Sequence, residues 1–482
     1  MKKFPAILKI SFAIIAVIFS FMLARTFFVP FQSAAIWQEN KIPTPENFAK
    51  HAKRLSGGLQ IPTVSNADIK KTDFSKFAKF RNYLQQEYPI VFKNVSYKII
   101  DENAMLLVWK GTNPDLNPIL FNTHYDVVPA GGWADAFSGA QKDGRIYGRG
   151  AIDIKSTLFA IMGAAEELMA QGFQPQRDIY FAFGHDEETK QNASKEIAEY
   201  LKSKGLFFDA VYDEGGIINL MDVGGRQFGF AFIGIAEKGY LTLNIKVLSN
   251  AGHSSMPPRE TTIGNAAVIV RRLERNQMPA RISPAAAMTL KGMAAAAGFL
   301  TKFTIANRDI LKPLIIKGLS GDPATNAVIR TTTAVTGIKS GDTDNVLPGV
   351  AEITVNFRLL PGDTIESVMK HVKKQCDGFD TEIEILSGWE ASKVSPAGTK
   401  GFLRITESLQ QIFPTANIVP YVTLGGTDSR NYQTISNNIY RFLPMALTNE
   451  ERDLMHASGE NISLDNYAKM ILYFKTLIRN YD

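Results

Sequence analysis

Asn122-Thr-His124-Tyr-Asp126-Val-Val-Pro129 and, a little later, Gly148-Arg-Gly150-Ala-Ile-Asp153-Ile-Lys155 carry the densest chemical signal in this chain. The first follows the apolar run Pro118-Ile-Leu-Phe121, which predicts a buried strand ending at His124. His124 and Asp126 are two apart, so extended backbone points both to one face. Asp153 follows a Gly-Arg-Gly turn and precedes an apolar, helix-like stretch from Ser156 to Met169. A histidine and a carboxylate at the ends of neighbouring strands are what a divalent metal site needs.

Outward from that segment the chain repeats one pattern of strand, polar loop and helix. Arg177-Asp-Ile-Tyr-Phe-Ala-Phe183 is a second apolar strand, ending in Gly184-His-Asp-Glu187-Glu188, and a helix follows over residues 193–204. Phe208-Asp-Ala-Val-Tyr212 is a third, ending in Asp213-Glu214-Gly215-Gly216. Such alternation predicts an α/β fold with a mostly parallel sheet. Ligands of such sheets sit at the carboxyl ends of the strands, where His124, Glu187-Glu188 and Asp213-Glu214 converge. Upstream, helices are expected over 44–59 and 74–88, and a hairpin over 91–100 and 104–110.

From Glu237-Lys-Gly239 the texture changes. Residues 240–248 alternate, as do 328–338 and 351–359, which predicts half-exposed antiparallel strands. Helical patterns cover 263–273 and 363–374, so a small α+β sandwich is expected, inserted into the first domain. The expected organisation is an N-terminal segment 1–35, a catalytic domain in two parts (36–239 and 394–482), and an inserted domain 240–393. Within the insert, the Ala- and Met-rich stretch from Pro284 to Ile316 reads as helical. It could line an apolar channel or form an amphipathic cover.

Lys2 and Lys3 precede a long apolar run reaching Ala24, which reads as an export signal or a membrane anchor. Ser33-Ala34-Ala35 offers a cleavage site, so both fates stay open. Either places the catalytic domain outside the cytoplasm. The net charge of +6 is interleaved along the chain with no basic arm, which argues against nucleic acid. The single cysteine, Cys376, rules out an intrachain disulfide and a thiolate metal cluster. There is no Gly-x-Ser-x-Gly for a serine hydrolase and no His-Glu-x-x-His for a zincin.

Taken with Gly252-His253-Ser-Ser, Asn326-Ala-Val-Ile-Arg-Thr-Thr-Thr, Thr427-Asp-Ser-Arg430 and Leu454-Met-His456, the series resembles the M20 metallopeptidases. Within them it is most similar to the branch of carboxypeptidase S and the N-fatty-acyl-amino-acid synthase/hydrolases. The resemblance implies two zinc ions bridged by Asp153, with His124 and Glu214 on one and Glu188 and His456 on the other. From the residues alone, Asp213 is an alternative to Glu214. The resemblance further implies Glu187 as general base, Asp126 orienting His124, and His253 reaching a neighbouring subunit's site in a homodimer. Arg358 and Asn345 would hold the substrate's carboxylate, with Gly425, Gly426 and Thr427 beside it. His51, His185 and His371 read as structural or surface residues.

The chain departs from the pattern in having Ile154 after Asp153, Thr189-Lys-Gln-Asn192 after the glutamate pair, and a longer loop after His456. The expected activity is hydrolysis, or reversible formation, of the amide between an acyl group and an amino acid with a free carboxylate. Substrates would be N-acyl amino acids or short peptides cut at the C-terminal residue. An exported carboxypeptidase without acyl preference and a silent binding protein of the same fold are the competing readings.

Overall fold

The computed structural model describes residues 6–31, 33–40 and 42–482. Lys2 and Lys3, the charged start of the N-terminal segment, lie outside them. The chain divides into two compact units, one of Ala34–Ala236 with Lys393–Asp482, the other of Glu237–Ser392 with the N-terminal residues to Ser33.

The first unit is built on a ten-stranded mixed sheet. Its centre is parallel: Ile119–His124 lies between Ile179–Gly184 and Ala210–Asp213, and Ile439–Arg441 pairs with the last of these. Antiparallel strands flank this centre. The period-two alternation of the central strands divides their side chains between two faces. Phe121 stacks with Phe181 and Tyr212 and meets Phe474 of the terminal helix Leu464–Arg479. Leu120, Tyr180, Ala182 and Val211 face the other way, onto Ala193, Ile197 and Leu201 of the helix Asn192–Ser203. Helices on both faces explain why the strands Ile119–His124 and Ile179–Gly184 are buried at every residue, and why they read as unbroken apolar runs.

The second unit holds a four-stranded antiparallel sheet in the order Thr332–Ser340, Val350–Leu359, Gly239–Leu248, Thr381–Trp389. Leu241, Leu243, Ile245 and Val247 point to one face, where Ala266, Ile269 and Leu273 of one helix and Val368 and Val372 of another close the core. Thr261 caps the first helix by accepting from the Gly264 N–H, and Thr364 and Ser367 form a reciprocal box on the second.

Three local expectations differ from the structure. Residues 91–95 are not strand: Pro89–Asn94 is a short helix, and the strand is confined to Ser96–Ile100. Pro89 at the first helical position, with its preset φ, starts that turn, and the wholly buried Val91 anchors it. Residues 328 and 329 close a helix, Pro323–Ile329, which Asp322 caps through the Thr325 N–H. The N-terminal segment, set apart from the fold in the sequence reading, is a helix Ala6–Phe28 packed on the 284–320 helices.

Candidate metal centre and active site

The site lies in the first unit, at the carboxyl ends of the parallel strands. His124 ends its strand with its imidazole wholly buried. Its Nε2 is 3.1 Å from Asp153 Oδ1 and 3.3 Å from Glu214 Oε1. His456 Nε2 is 3.0 Å from the other Asp153 oxygen and 3.2 Å from Glu188 Oε1. His124, Asp153 and Glu214 thus form one group that could hold an ion and Asp153, Glu188 and His456 a second, with Asp153 common to both. Tetrahedral zinc with bonds of about 2.0–2.1 Å puts its ligand atoms about 3.3 Å apart, close to the spacings found here.

The chemistry of the donors fits such an ion. Three carboxylates face two imidazoles, and no thiolate is present. Burial and repulsion from Asp153 push Glu214 up to about 8, and burial also raises Glu188, with Asp153 adding to it. Hydrogen bonds to Asp153 and Glu188 push His456 up to about 10. The cluster is short of positive charge, which two divalent cations would supply to oxygen and imidazole ligands of the kind zinc accepts.

Of the two adjacent acids, Glu214 is the one that meets His124. Asp213 turns away, accepting from Asn122 Nδ2 at 2.9 Å and the Ser429 N–H at 2.8 Å. The glycines that follow allow this turn: Gly215 has φ +129°, and a Cβ on Gly216 would collide with the Phe232 carbonyl.

Asp126 is the hub behind the ligands. Its Oδ1 lies 3.2 Å from His124 Nδ1. Its two oxygens also accept the N–H groups of Glu187 and Glu188, each at 3.2 Å, and Ser65 Oγ at 2.6 Å. Against the burial that would raise it, these bonds hold the Asp126 carboxyl below its ordinary range. The Asp126 backbone carbonyl also faces His124 Nδ1, at 3.1 Å; acceptors there would keep a proton on Nδ1 and leave Nε2 available to a metal.

Glu187 stands beside the cluster, accepting from Gln191 Nε2 at 2.6 Å. Burial and then the nearby Glu214 raise its pKa well above the usual carboxylate range, which favours a group that accepts and returns a proton. Gly425, Gly426 and Thr427 follow the strand Ala416–Thr423. They are tied to the site through Tyr421, whose hydroxyl donates to the Gly215 carbonyl at 2.6 Å, and through the Ser429–Asp213 bond.

A frame with no signature in the sequence holds the two loops. Glu460 is fully buried, and its Oε1 accepts from the N–H groups of Gly150, Ile152 and Asp153 at 3.0, 2.9 and 3.2 Å. Its other oxygen meets Arg149 Nη1 at 2.7 Å. Arg149 also donates to the carbonyls of His456 and Ala457, both at 3.1 Å. Arg149 stands in the Gly148-Arg-Gly150 turn and Glu460 four residues after His456, but no spacing distinguishes either from surface charge.

In the second unit, His253 and Asn345 are neighbours on an exposed two-stranded ribbon, with the Ser254 N–H donating to the Asn345 carbonyl at 3.1 Å. Arg358 is at the far end of the strand Val350–Leu359, opposite Tyr240, while Val350 pairs with Leu248. Eight residues of strand span about 26 Å, so Asn345 and Arg358 of one chain do not grip the same group. The guanidinium of Arg358 lies 4.8 Å over the Tyr240 ring, which stacks on Trp389 at 4.6 Å. Among the other histidines, His51 is buried against Glu167 at 3.3 Å, and His185 packs between Phe74 and Phe77.

Residues 120–480 match the model of Peptidase family M20/M25/M40. The chain belongs to that family. It is 34% identical to human N-fatty-acyl-amino acid synthase/hydrolase PM20D1 over 91% of this chain and 90% of that protein. It is also 34% identical to the probable carboxypeptidase S-like 2 of Dictyostelium discoideum, over 89% and 84%. The M20 metallo-carboxypeptidase Sso-CP2 of Sulfolobus solfataricus has the same fold, with a TM-score of 0.64 at 19% identity over 89% of this chain and 99% of that one. This M20 member is therefore an enzyme, a metal-dependent peptidase or amidohydrolase with an α/β catalytic fold.

Proposed function

We propose that the enzyme cleaves, or reversibly forms, the amide between an acyl group and an amino acid with a free carboxylate, N-acyl amino acids being its preferred substrates. The observation that carries this reading is the pair of ligand groups sharing Asp153 with Glu187 beside them. The acyl preference is supported by likeness to relatives named for N-fatty-acyl amino acids. His124, Asp153 and Glu214 would hold one ion and Asp153, Glu188 and His456 the other. Two zinc ions there would polarise the scissile carbonyl and make water acidic enough to lose a proton near neutral pH.

Glu187 takes the proton from the attacking water and passes it to the leaving amine nitrogen. The substrate carboxylate sits in the fork of Arg358, which Tyr240 and Trp389 hold flat. Residues 240–393 act as a lid and dimerisation domain, so that His253 and Asn345 come from a second copy. His253 Nδ1 accepts from the Ser255 N–H at 3.2 Å, which leaves the Nε2 proton free to stabilise the oxyanion of that neighbouring site. An export segment or anchor places this chemistry outside the cytoplasm.

The test compares kcat/KM of the full-length, zinc-loaded enzyme on a long-chain N-acyl amino acid and on an apolar dipeptide. A marked preference for the acyl substrate is expected. Preference for the dipeptide would make it a carboxypeptidase in the manner of its carboxypeptidase S-like relatives. Turnover of neither would point to a silent binding protein.

A further inference from the structure

The helices Ala6–Phe28, Pro284–Ala294, Phe299–Ala306 and Arg308–Leu319 form one cluster, with Asn307 and Thr26 buried at its centre among Met22, Ile305 and Ala306. Asn307 has no exposed surface, and its Nδ2 donates to the Met22 carbonyl at 3.0 Å and to Thr26 Oγ1 at 3.3 Å. Arg25 meets Asp309 at 2.6 Å. Phe19 packs on Phe303 and Phe27 on Phe299, with ring centroids 5.9 and 6.2 Å apart. Removal of residues up to 33 would strip Asn307 of both Met22 and Thr26, leaving its Nδ2 only the Phe303 carbonyl at 2.8 Å.

Large apolar side chains reach solvent over much of the cluster's outer surface. Residues 9–28 form a helix long and apolar enough to cross a membrane, with only 11% of its most apolar window buried. The neighbouring helices continue that surface: Phe299 is 54% exposed, Leu300 75%, Ile310 44% and Leu314 61%. Ile310 and Leu314 are four apart and share a face. Around them, residues 284–320 carry Lys291, Lys302, Arg308, Lys312 and Lys317, with Asp309, already engaged by Arg25, as the one acidic residue.

We propose that Phe299–Ala306 and Arg308–Leu319 seat in the interfacial layer of a lipid bilayer beside the N-terminal helix, their apolar side chains among acyl chains and their lysines at anionic headgroups. All the packing contacts above engage residues 19–27 of the N-terminal helix, a stretch of about 12 Å, less than half of a hydrocarbon core of about 30 Å. The inserted helices therefore lie at the depth of one leaflet. Large exposed apolar side chains with basic flanks are the composition of helices that lie in the membrane plane, and lysine stems reach from there to the headgroups. A second copy of this chain would bring the same lysines against their like.

The test uses the full chain, in which the native Cys376 is buried. Nitroxides are placed through Leu300→Cys and Leu314→Cys, with Ile14→Cys as a bilayer control and Lys202→Cys as a water control. The variants are reconstituted in phosphatidylcholine vesicles containing phosphatidylglycerol. Labels at 300 and 314 are expected to relax faster with oxygen than with a water-soluble nickel chelate, as at 14 and opposite to 202. Relaxation dominated by the nickel chelate at 300 and 314, with 14 still in lipid, would place this surface in water and overturn the proposal. Shielding from both reagents would also overturn it, by showing a protein cover. None of these outcomes depends on which amide the enzyme cleaves.

Discussion

Arg149 Nη1 lies 2.7 Å from Glu460 Oε2 with both side chains sealed from solvent, and this ion pair joins the loop of Asp153 to the loop of His456. Glu460→Ala removes the acceptor of three N–H groups and leaves Arg149 as an uncompensated buried charge. Loss of one partner of a buried pair costs about 3–5 kcal/mol, and loss of a group that orients ligands weakens metal binding about 10–100-fold. Chemical denaturation and chelator competition should show both effects. Zinc affinity equal to wild type would remove Glu460 from the frame of the centre.

Glu187→Gln keeps the size and the N–H bond to Asp126 but cannot take a proton. Turnover is expected to fall by about 10²–10⁴-fold, with zinc content by atomic absorption unchanged. Wild-type turnover in a zinc-replete Glu187→Gln enzyme would defeat the general-base assignment.

Proton release on metal binding follows from His456. Its pKa in the metal-free protein is raised to about 10 by Asp153 and Glu188, so at neutral pH the ion displaces a proton from it. Zinc affinity should therefore climb as pH rises from 6 towards 10, with proton release measured by calorimetry in buffers of different ionisation enthalpy. For the metal-free protein the sign is opposite. A raised folded pKa gives stability that is complete below the unfolded value of 6.5 and lost as pH rises through about 10.

Tyr240→Ala should loosen Arg358 while leaving the metal ligands alone. KM for a substrate with a free carboxylate is expected to rise about tenfold, the worth of a cation–π contact of about 1–2 kcal/mol, with kcat nearly constant. An equal fall in kcat alone would mean that the platform acts elsewhere.

His253→Ala and Glu187→Gln should each be nearly inactive, yet mixing the two after subunit exchange should restore roughly a quarter of wild-type activity if His253 serves its neighbour's site. No recovery in a verified heterodimer would return His253 to its own chain.

The parallel centre of the sheet was legible because strands covered on both faces must be apolar throughout, as in Ile119–Phe121 and Ile179–Phe183, and because ligands gather where such strands end. His124 and the acidic pairs Glu187-Glu188 and Asp213-Glu214 stood out because they end apolar strands, whereas the choice of Glu188, Glu214 and His456 among them rested on resemblance to a family. Arg149, Glu460 and Ser65 were not legible, because a positioning residue is defined by what it touches, and nothing local distinguishes Glu460 from a surface acid. Residues 91–95 misled for another reason: Ile90-Val91-Phe92 have strand propensity, but burial of Val91 beneath a Pro-initiated turn outweighed it. Docking of the 284–320 helices on the N-terminal helix depends on Asn307 and Asp309, polar residues that read as ordinary surface until their partners are seen.

Asp126 binds the ring of His124 and the main chain of both Glu187 and Glu188 through one side chain. His124, Glu187 and Glu188 thus move as a single rigid hand, and a change that tilts this carboxylate disturbs all three together. Substitutions around it should show strong epistasis: once Asp126 is altered, a second change at Ser65 or His124 has little left to remove. Sequence drift in this pocket is therefore expected to proceed by concerted replacement rather than residue by residue.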